Sequence, residues 1–208
     1  MKLYSYVVAR DYGFAPNPFF GVCSLATCKP KIRAKAHIGD WVVGIGSAQN
    51  RLRGRLVFVM RVDETLTFDQ YWTDPRFLSK RPNLCGSVMQ AFGDNVYHQD
   101  HRSRQWIQAS SHHSFPDGTA NPLNIAHDTQ APRVLLGQRF VYWGCEGPEV
   151  PARFRTTIGR GGRPDRCNFP SMEIQAFLRW IDSLGQQGFV GMPLEFKKLY
   201  SGKRRPPR

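Results

Sequence analysis

The stretch Gly39-Asp40-Trp41-Val42-Val43-Gly44-Ile45-Gly46-Ser47, followed by Leu56-Val57-Phe58-Val59-Met60-Arg61-Val62, constrains the fold more than any other part of the chain. A Gly-Asp pair feeding a run of β-branched and aromatic residues reads as a turn entering a strand. The second run, bounded by Gly54 and by Asp63-Glu64, reads as a buried strand. Glycine weakens a strand, and inside one it often marks the close approach of a ligand or another backbone. Gly44 and Gly46 therefore predict that something packs tightly on this strand.

Other elements fall in order around it. Leu3 to Ala9 reads as a strand with Tyr4, Tyr6 and Val8 on one face. Arg10 to Gly21 is broken by two prolines and two glycines yet holds four aromatics, which either pack on the core or wall a pocket. Val22 to Thr27 suits a short strand, and Pro30 is placed for a first helical turn. Thr67-x-x-Gln70 has the form of a capping box, and Asp74-Pro75 is a second helix start. Pro82 to Gly118 is polar and irregular, with Arg104 to Ala109 as its best strand candidate. Val134-Leu135-Leu136 and Arg139 to Gly144 suit further strands, and Ile158 to Pro164 a flexible basic loop. A helix opens at Pro170-Ser171 and closes at Gly185, with Ile174, Phe177, Leu178, Ile181 and Leu184 at helical spacing.

Charge narrows the partners. The chain carries 29 Lys and Arg against 16 acidic residues, a net +13. The tail from Gly202 to Arg208 holds only four of these cations, so the body itself is strongly basic. A field of that sign favours nucleic acid or another polyanion. Lys29, Lys31, Arg33 and Lys35 lie within seven residues, and Arg51, Arg53 and Arg55 within five. Both runs suit phosphate contacts, the alternatives being a solvated helical face for the first and edge-strand protection for the second. Five cysteines without a CxxC pair argue against a disulfide scaffold or zinc ribbon and predict a reducing cytoplasm. No apolar run reaches the roughly 18–20 residues of a membrane span, so a soluble, intracellular chain with no membrane partner is expected.

The segment Gly39 to Phe77 resembles the PUA-like superfamily, especially its EVE, ASCH and YTH branches. The resemblance rests on Gly39-Asp40 and the strand ending at Ser47, the basic loop and second strand, Thr67-Phe68-Asp69, and Asp74-Pro75-Arg76-Phe77. More narrowly, most of the chain resembles the bacterial and phage family called nucleotide modification associated domain 2. The stretches carrying it are Tyr4 to Ala9, Asn17 to Gly21, Leu25 to Arg33, Gly39-Asp40-Trp41 and Pro170-Ser171-Met172-Glu173. These resemblances imply an α+β fold: a curved PUA-like (EVE/ASCH-type) β-barrel with flanking helices, spanning residues 1–201. They also imply a pocket for a flipped or modified base, and an association with base-modification systems. A long insertion, about 82–132, departs from the pattern, and 202–208 is expected to be a disordered basic tail.

A reader of modified bases needs aromatic faces, a few polar groups for the base edge, and cations for flanking phosphates. Phe19, Trp41 and Trp72 are candidates for stacking, and Ser47 and Asp69 for the base edge. Trp41 equally suits the core, Ser47 a turn, and Asp69 a helix start. The expected function is recognition of a modified base in nucleic acid, DNA before RNA, within base modification or phage–host conflict. No catalysis, cofactor or metal is expected. The enzymatic alternative starts from His98-Gln99-Asp100-His101 and His112-His113 near Cys85. His-x-x-His spacing can serve a metal, but no helical periodicity fixes it here, and neighbouring His112 and His113 cannot both point inward on a strand. A Cys–His nucleophile lacks an elbow motif to single out one of five cysteines. There is no P-loop, dinucleotide fingerprint or paired-carboxylate signature. A third possibility is a non-catalytic subunit docking with proteins of a modification or defence complex.

Overall fold

Asp40 sets the first pairing of the fold. In the computed structural model, which describes residues 1–160 and 166–200, its carboxylate accepts from the Lys2 N–H at 2.6 Å and the His37 N–H at 3.0 Å. Gly39 turns the chain at φ +90°, a conformation that suits glycine. In chain order the strands are β1 (Leu3–Val8), β2 (Cys23–Leu25), β3 (Trp41–Gly46), β4 (Leu56–Arg61) and β5 (Glu64–Leu66). They continue with β6 (Tyr97–Gln99), β7 (Trp106–Gln108), β8 (Val134–Gly137), β9 (Phe140–Tyr142) and β10 (Gly188–Phe189). The helices are α1 (Pro30–Lys35), α2 (Phe68–Thr73), α3 (Val88–Ala91), α4 (Pro122–Asp128), α5 (Ala152–Arg155), α6 (Ser171–Ser183) and α7 (Leu194–Tyr200). Among the described residues, no helix is long and apolar enough to cross a membrane.

Five strands form a mixed sheet in the order β1-β3-β4-β9-β10, with β1 parallel to β3 from Leu3 opposite Trp41 to Val8 opposite Gly46. A second sheet has the order β2-β8-β5, and β6 and β7 pair separately. The fold is therefore mixed α and β. The expected closure into one barrel is not seen, because the described strands lie in three separate sheets.

Alternation along the strands gives the large sheet two buried faces. Tyr4, Tyr6 and Val8, with Val42, Met60 and Tyr142, pack against Leu25, Leu135 and Ile32 of the second sheet and α1. Leu3, Trp41, Val43, Val59 and Trp143 face Ile174, Phe177 and Ile181 of α6. What approaches the two glycines is protein. A Cβ on Gly44 would overlap the Phe58 ring and Val8, and one on Gly46 would overlap Leu52 of the following turn.

A third core lies beneath the aromatic loop and the 82–132 segment, joining Phe14, Phe19, Phe68, Phe77, Phe92, Tyr97 and Phe196. The aromatics Phe14 and Phe19 of the 10–21 loop are thus packing residues. A buried polar network ties this region together. Lys80 Nζ donates to Asn17 O at 3.0 Å, Asn17 Oδ1 at 2.8 Å and Ser24 Oγ at 3.0 Å. Asp94 accepts from Ser24 Oγ at 2.7 Å and the Tyr71 hydroxyl at 2.8 Å. The capping box of Thr67 and Gln70 opens α2 as its spacing predicts, and the helix from Pro170 is α6. The strand expected within 104–109 is β7. Of the basic loop expected at 158–164, Ile158–Arg160 is a 3-10 turn. Residues 161–164, like the tail 202–208, lie outside the described residues.

Candidate nucleic-acid interface

The turn between β3 and β4 presents the second basic run. Ser47 caps it, its Oγ accepting from the Asn50 N–H at 3.3 Å, and Asn50 Nδ2 donates to Ala9 O at 2.8 Å. That bond brings Arg10, the next residue, alongside the Arg51 turn. Arg55 is committed elsewhere, its Nε donating to Gly147 O at 2.9 Å and its guanidinium 3.6 Å from Glu149. Arg155 shares the same carboxylate at 3.4 Å. Arg53, Arg155 and Arg160 line a cleft of about 590 Å³ in which, among the described residues, Glu149 is the one acidic side chain. Glu149 already serves Arg55 and Arg155, and among the described residues no ion pair neutralises the exposed Arg53 or Arg160. Convergent, uncompensated guanidinium groups are what phosphate oxygens bind.

A larger groove, of about 1030 Å³, has Trp41, Phe140 and Ile181 among its apolar walls. It is electrostatically balanced. Arg61 pairs with Asp63 at 3.1 Å, Arg76 with Glu64 at 2.8 Å, and Arg139 with Asp182 at 2.7 Å. Size alone would favour this groove, but charge favours the smaller cleft for a polyanion.

The first basic run divides. Lys31 and Lys35 are exposed, and Lys29 Nζ lies 4.5 Å from the centre of the Tyr6 ring. Arg33 is a correction to the phosphate expectation, for it is fully buried. Its Nε donates to Cys28 O at 2.8 Å, one terminal nitrogen to Arg133 O at 2.7 Å, and further bonds reach Ala131 O and Asp128 O. Burial pulls its pKa down to about 10, with Asp128 the chief opposing influence. Arg33 staples the Cys28 turn to the end of α4, and its full burial keeps it from reaching a phosphate.

The five residues expected around a base are dispersed by their own contacts. Trp41 is buried in the core at the edge of the large groove, with the Arg139 guanidinium 5.2 Å from its ring. Trp72 stacks on His98 at 4.2 Å between ring centres and carries the Arg81 guanidinium at 4.0 Å. Asp69 accepts from the Gln99 N–H at 2.7 Å, fixing α2 to β6, and Phe19 stacks on Phe196. Ser47 is the turn cap already described.

The histidine alternative also changes. His98 is occupied by Trp72, Asp100 Oδ1 closes its own turn on Arg102 and Ser103, and Cys85 is exposed. Among the described residues, the grouping of His, Cys and carboxylate that does converge is Cys28, His113 and Asp128. Sequence reading did not join these three. His112 and His113 sit in a turn, not a strand, which lets them face different ways. His112 packs by Tyr12 and Phe92, and His113 turns to Asp128.

A family model described as nucleotide modification associated domain 2 matches residues 1–200. Comparison with curated proteins found no match, and comparison with solved structures found none.

Proposed function

The chain belongs to the nucleotide modification associated domain 2 family, and from that premise we propose that it binds nucleic acid through the Arg53–Arg160 cleft. The observation that carries this reading is two exposed guanidinium groups, unpaired among the described residues, lining one cleft beside a carboxylate already shared by Arg55 and Arg155. Arg10 and Arg51 extend the positive face along the neighbouring turn, and a net charge of +13 supplies long-range attraction. DNA is the expected polymer, in keeping with an association with nucleotide modification. Recognition of a modified base would then fall to the groove bordered by Trp41 and Phe140, which is large enough for a nucleotide. A PUA-like ancestry is compatible with two sheets that share one core, as an opened form of the curved barrel.

The test is fluorescence anisotropy with plain and base-modified oligonucleotides over a salt series. Arg53→Glu combined with Arg160→Glu should weaken all sequences alike. Loss of two phosphate contacts should flatten the log–log salt slope by about 2. Unchanged affinity and slope in the folded double variant would remove the cleft from the interface.

A further inference from the structure

Cys28 sits where a chain without glycine should not turn. It has φ 55° and Lys29 has φ 43°, two successive left-handed residues just before α1. Such a conformation is strained for an L side chain and persists only when its surroundings hold it. Here they do. Arg33 Nε holds the Cys28 carbonyl, and the Cys28 N–H donates to Asp128 Oδ1 at 2.8 Å.

The thiol is half-buried, and its Sγ lies 3.8 Å from His113 Nε2. The other ring nitrogen of His113, Nδ1, lies 2.8 Å from Asp128 Oδ2. Asp128 is fully buried and accepts also from the Tyr97 hydroxyl at 2.9 Å and from His127 Nδ1 at 3.0 Å. Burial opposes its charge, but the bonds from His113, His127 and Tyr97 hold its pKa below the ordinary carboxylate value. An ionised, acceptor-only carboxylate requires a proton on Nδ1 and directs Nε2 at the sulfur. Thiol, imidazole and carboxylate thus stand in series, with the roles of a nucleophile, a base and an orienting group.

Zinc ligands come from the same residue types, and one atom from each residue lies within 4.8 Å of the others. A shared ion, however, needs the ligands to converge on one point. Asp128 and Cys28 address opposite nitrogens of one ring, and both Asp128 oxygens already receive two donors each.

We propose that Cys28 is a nucleophilic thiol, with His113 as its proton acceptor and donor, that cleaves amides or esters through a thioester. With the proton already held on His113 Nε2, the Cys28 sulfur bonds as its thiolate partner to the acyl carbon. The tetrahedral adduct collapses, breaking the C–N or C–O bond, and the leaving amine or alcohol takes the proton from Nε2. Water then attacks the thioester carbon and gives a proton to Nε2. The C–S bond breaks, the acid departs, and the thiolate is restored beside the protonated Nε2. Asp128, Tyr97 and Arg33 are positioning residues. The remaining ionisable neighbours are Lys29, His112 and His127, with Arg10 close enough to act on His112.

The experiment is alkylation of the full chain by iodoacetamide across pH 5–9, with every cysteine mapped by mass spectrometry. At pH 6 Cys28 should react at least about tenfold faster than exposed Cys85. Asp128→Asn should move the Cys28 profile towards alkaline pH, and His113→Gln should bring it to that of Cys85. p-Nitrophenyl acetate should leave a hydroxylamine-labile acetyl group on Cys28 and be turned over slowly, neither occurring in Cys28→Ser. Should a variant fail to fold, the wild-type comparison of Cys28 with Cys85 still decides. Equal rates at pH 6, a profile unmoved by folded His113→Gln, absence of an acetylated Cys28, or stoichiometric zinc that blocks labelling would each overturn the proposal.

Discussion

Arg33 donates from Nε to the carbonyl of Cys28 at 2.8 Å, so a cation in a surface-like basic run fixes the strained turn that holds the thiol. Its four backbone partners come from Cys28 and from the 128–133 segment, a hundred residues apart in the sequence. Replacement by Met strands those carbonyls. The expected cost is at least about 3 kcal/mol, or on the order of 10 °C in Tm for a chain of this size. Lys31→Ala and Lys35→Ala, on the exposed side of the same helix, should leave Tm nearly unchanged. Thermal denaturation followed by circular dichroism checks the contrast, and equal effects at all three positions would contradict the buried staple.

Gly44→Ala tests the close approach that the strand glycines predict. The added methyl meets the Phe58 ring and Val8 inside the sheet core. Overpacking of that kind costs about 1–3 kcal/mol. Phe58→Leu should recover part of the loss in the double variant, since the two changes touch the same space. Denaturant unfolding of the four proteins closes the cycle, and strict additivity would show that the crowding is elsewhere.

Local signals were readable because short-range chemistry determines them. Pro170, the spacing of Ile174, Phe177 and Ile181, and the Thr67–Gln70 box each dictate structure within a few residues. The Gly39-Asp40 pair likewise marks the entry to β3. Arg33 was misplaced because a run of charges does not reveal which one shares a helix face with buried Ile32 and Ala36. Whether two sheets close into a barrel depends on pairings between distant strands, which no local pattern encodes. The Cys28 group was hidden for the same reason, its members lying 85 and 15 residues apart with no glycine to mark the turn. One pointer was present, a cysteine two residues before a helix-starting proline.

Trp72 separates stacking for stability from stacking on a base. Its ring carries His98 and Arg81, so truncation should loosen the junction of α2 with β6. Trp72→Ala should lose about 1–3 kcal/mol from those aromatic and cation–π contacts. Oligonucleotide preference in the folded variant should match that of the parent. A selective loss of affinity for one modified base, with Tm unchanged, would return Trp72 to the base site.

His113 makes the stability of this region depend on pH. Burial disfavours its charged form, yet the hydrogen bond to Asp128 and the adjoining Cys28 sulfur outweigh it and raise the pKa to about 9. A histidine raised above its unfolded value near 6.5 binds its proton more tightly in the folded chain. Its contribution is therefore complete below about pH 6.5 and is lost as pH rises through about 9. The shift corresponds to stabilisation on the order of 3 kcal/mol. Wild-type stability should decline across that window more steeply than that of His113→Gln, which keeps a donor for Asp128 but does not titrate. Urea unfolding at pH 6, 7.5 and 9 measures the two slopes. Parallel slopes would mean that His113 is neutral in the folded protein, and that the Asp128 pair is an ordinary hydrogen bond.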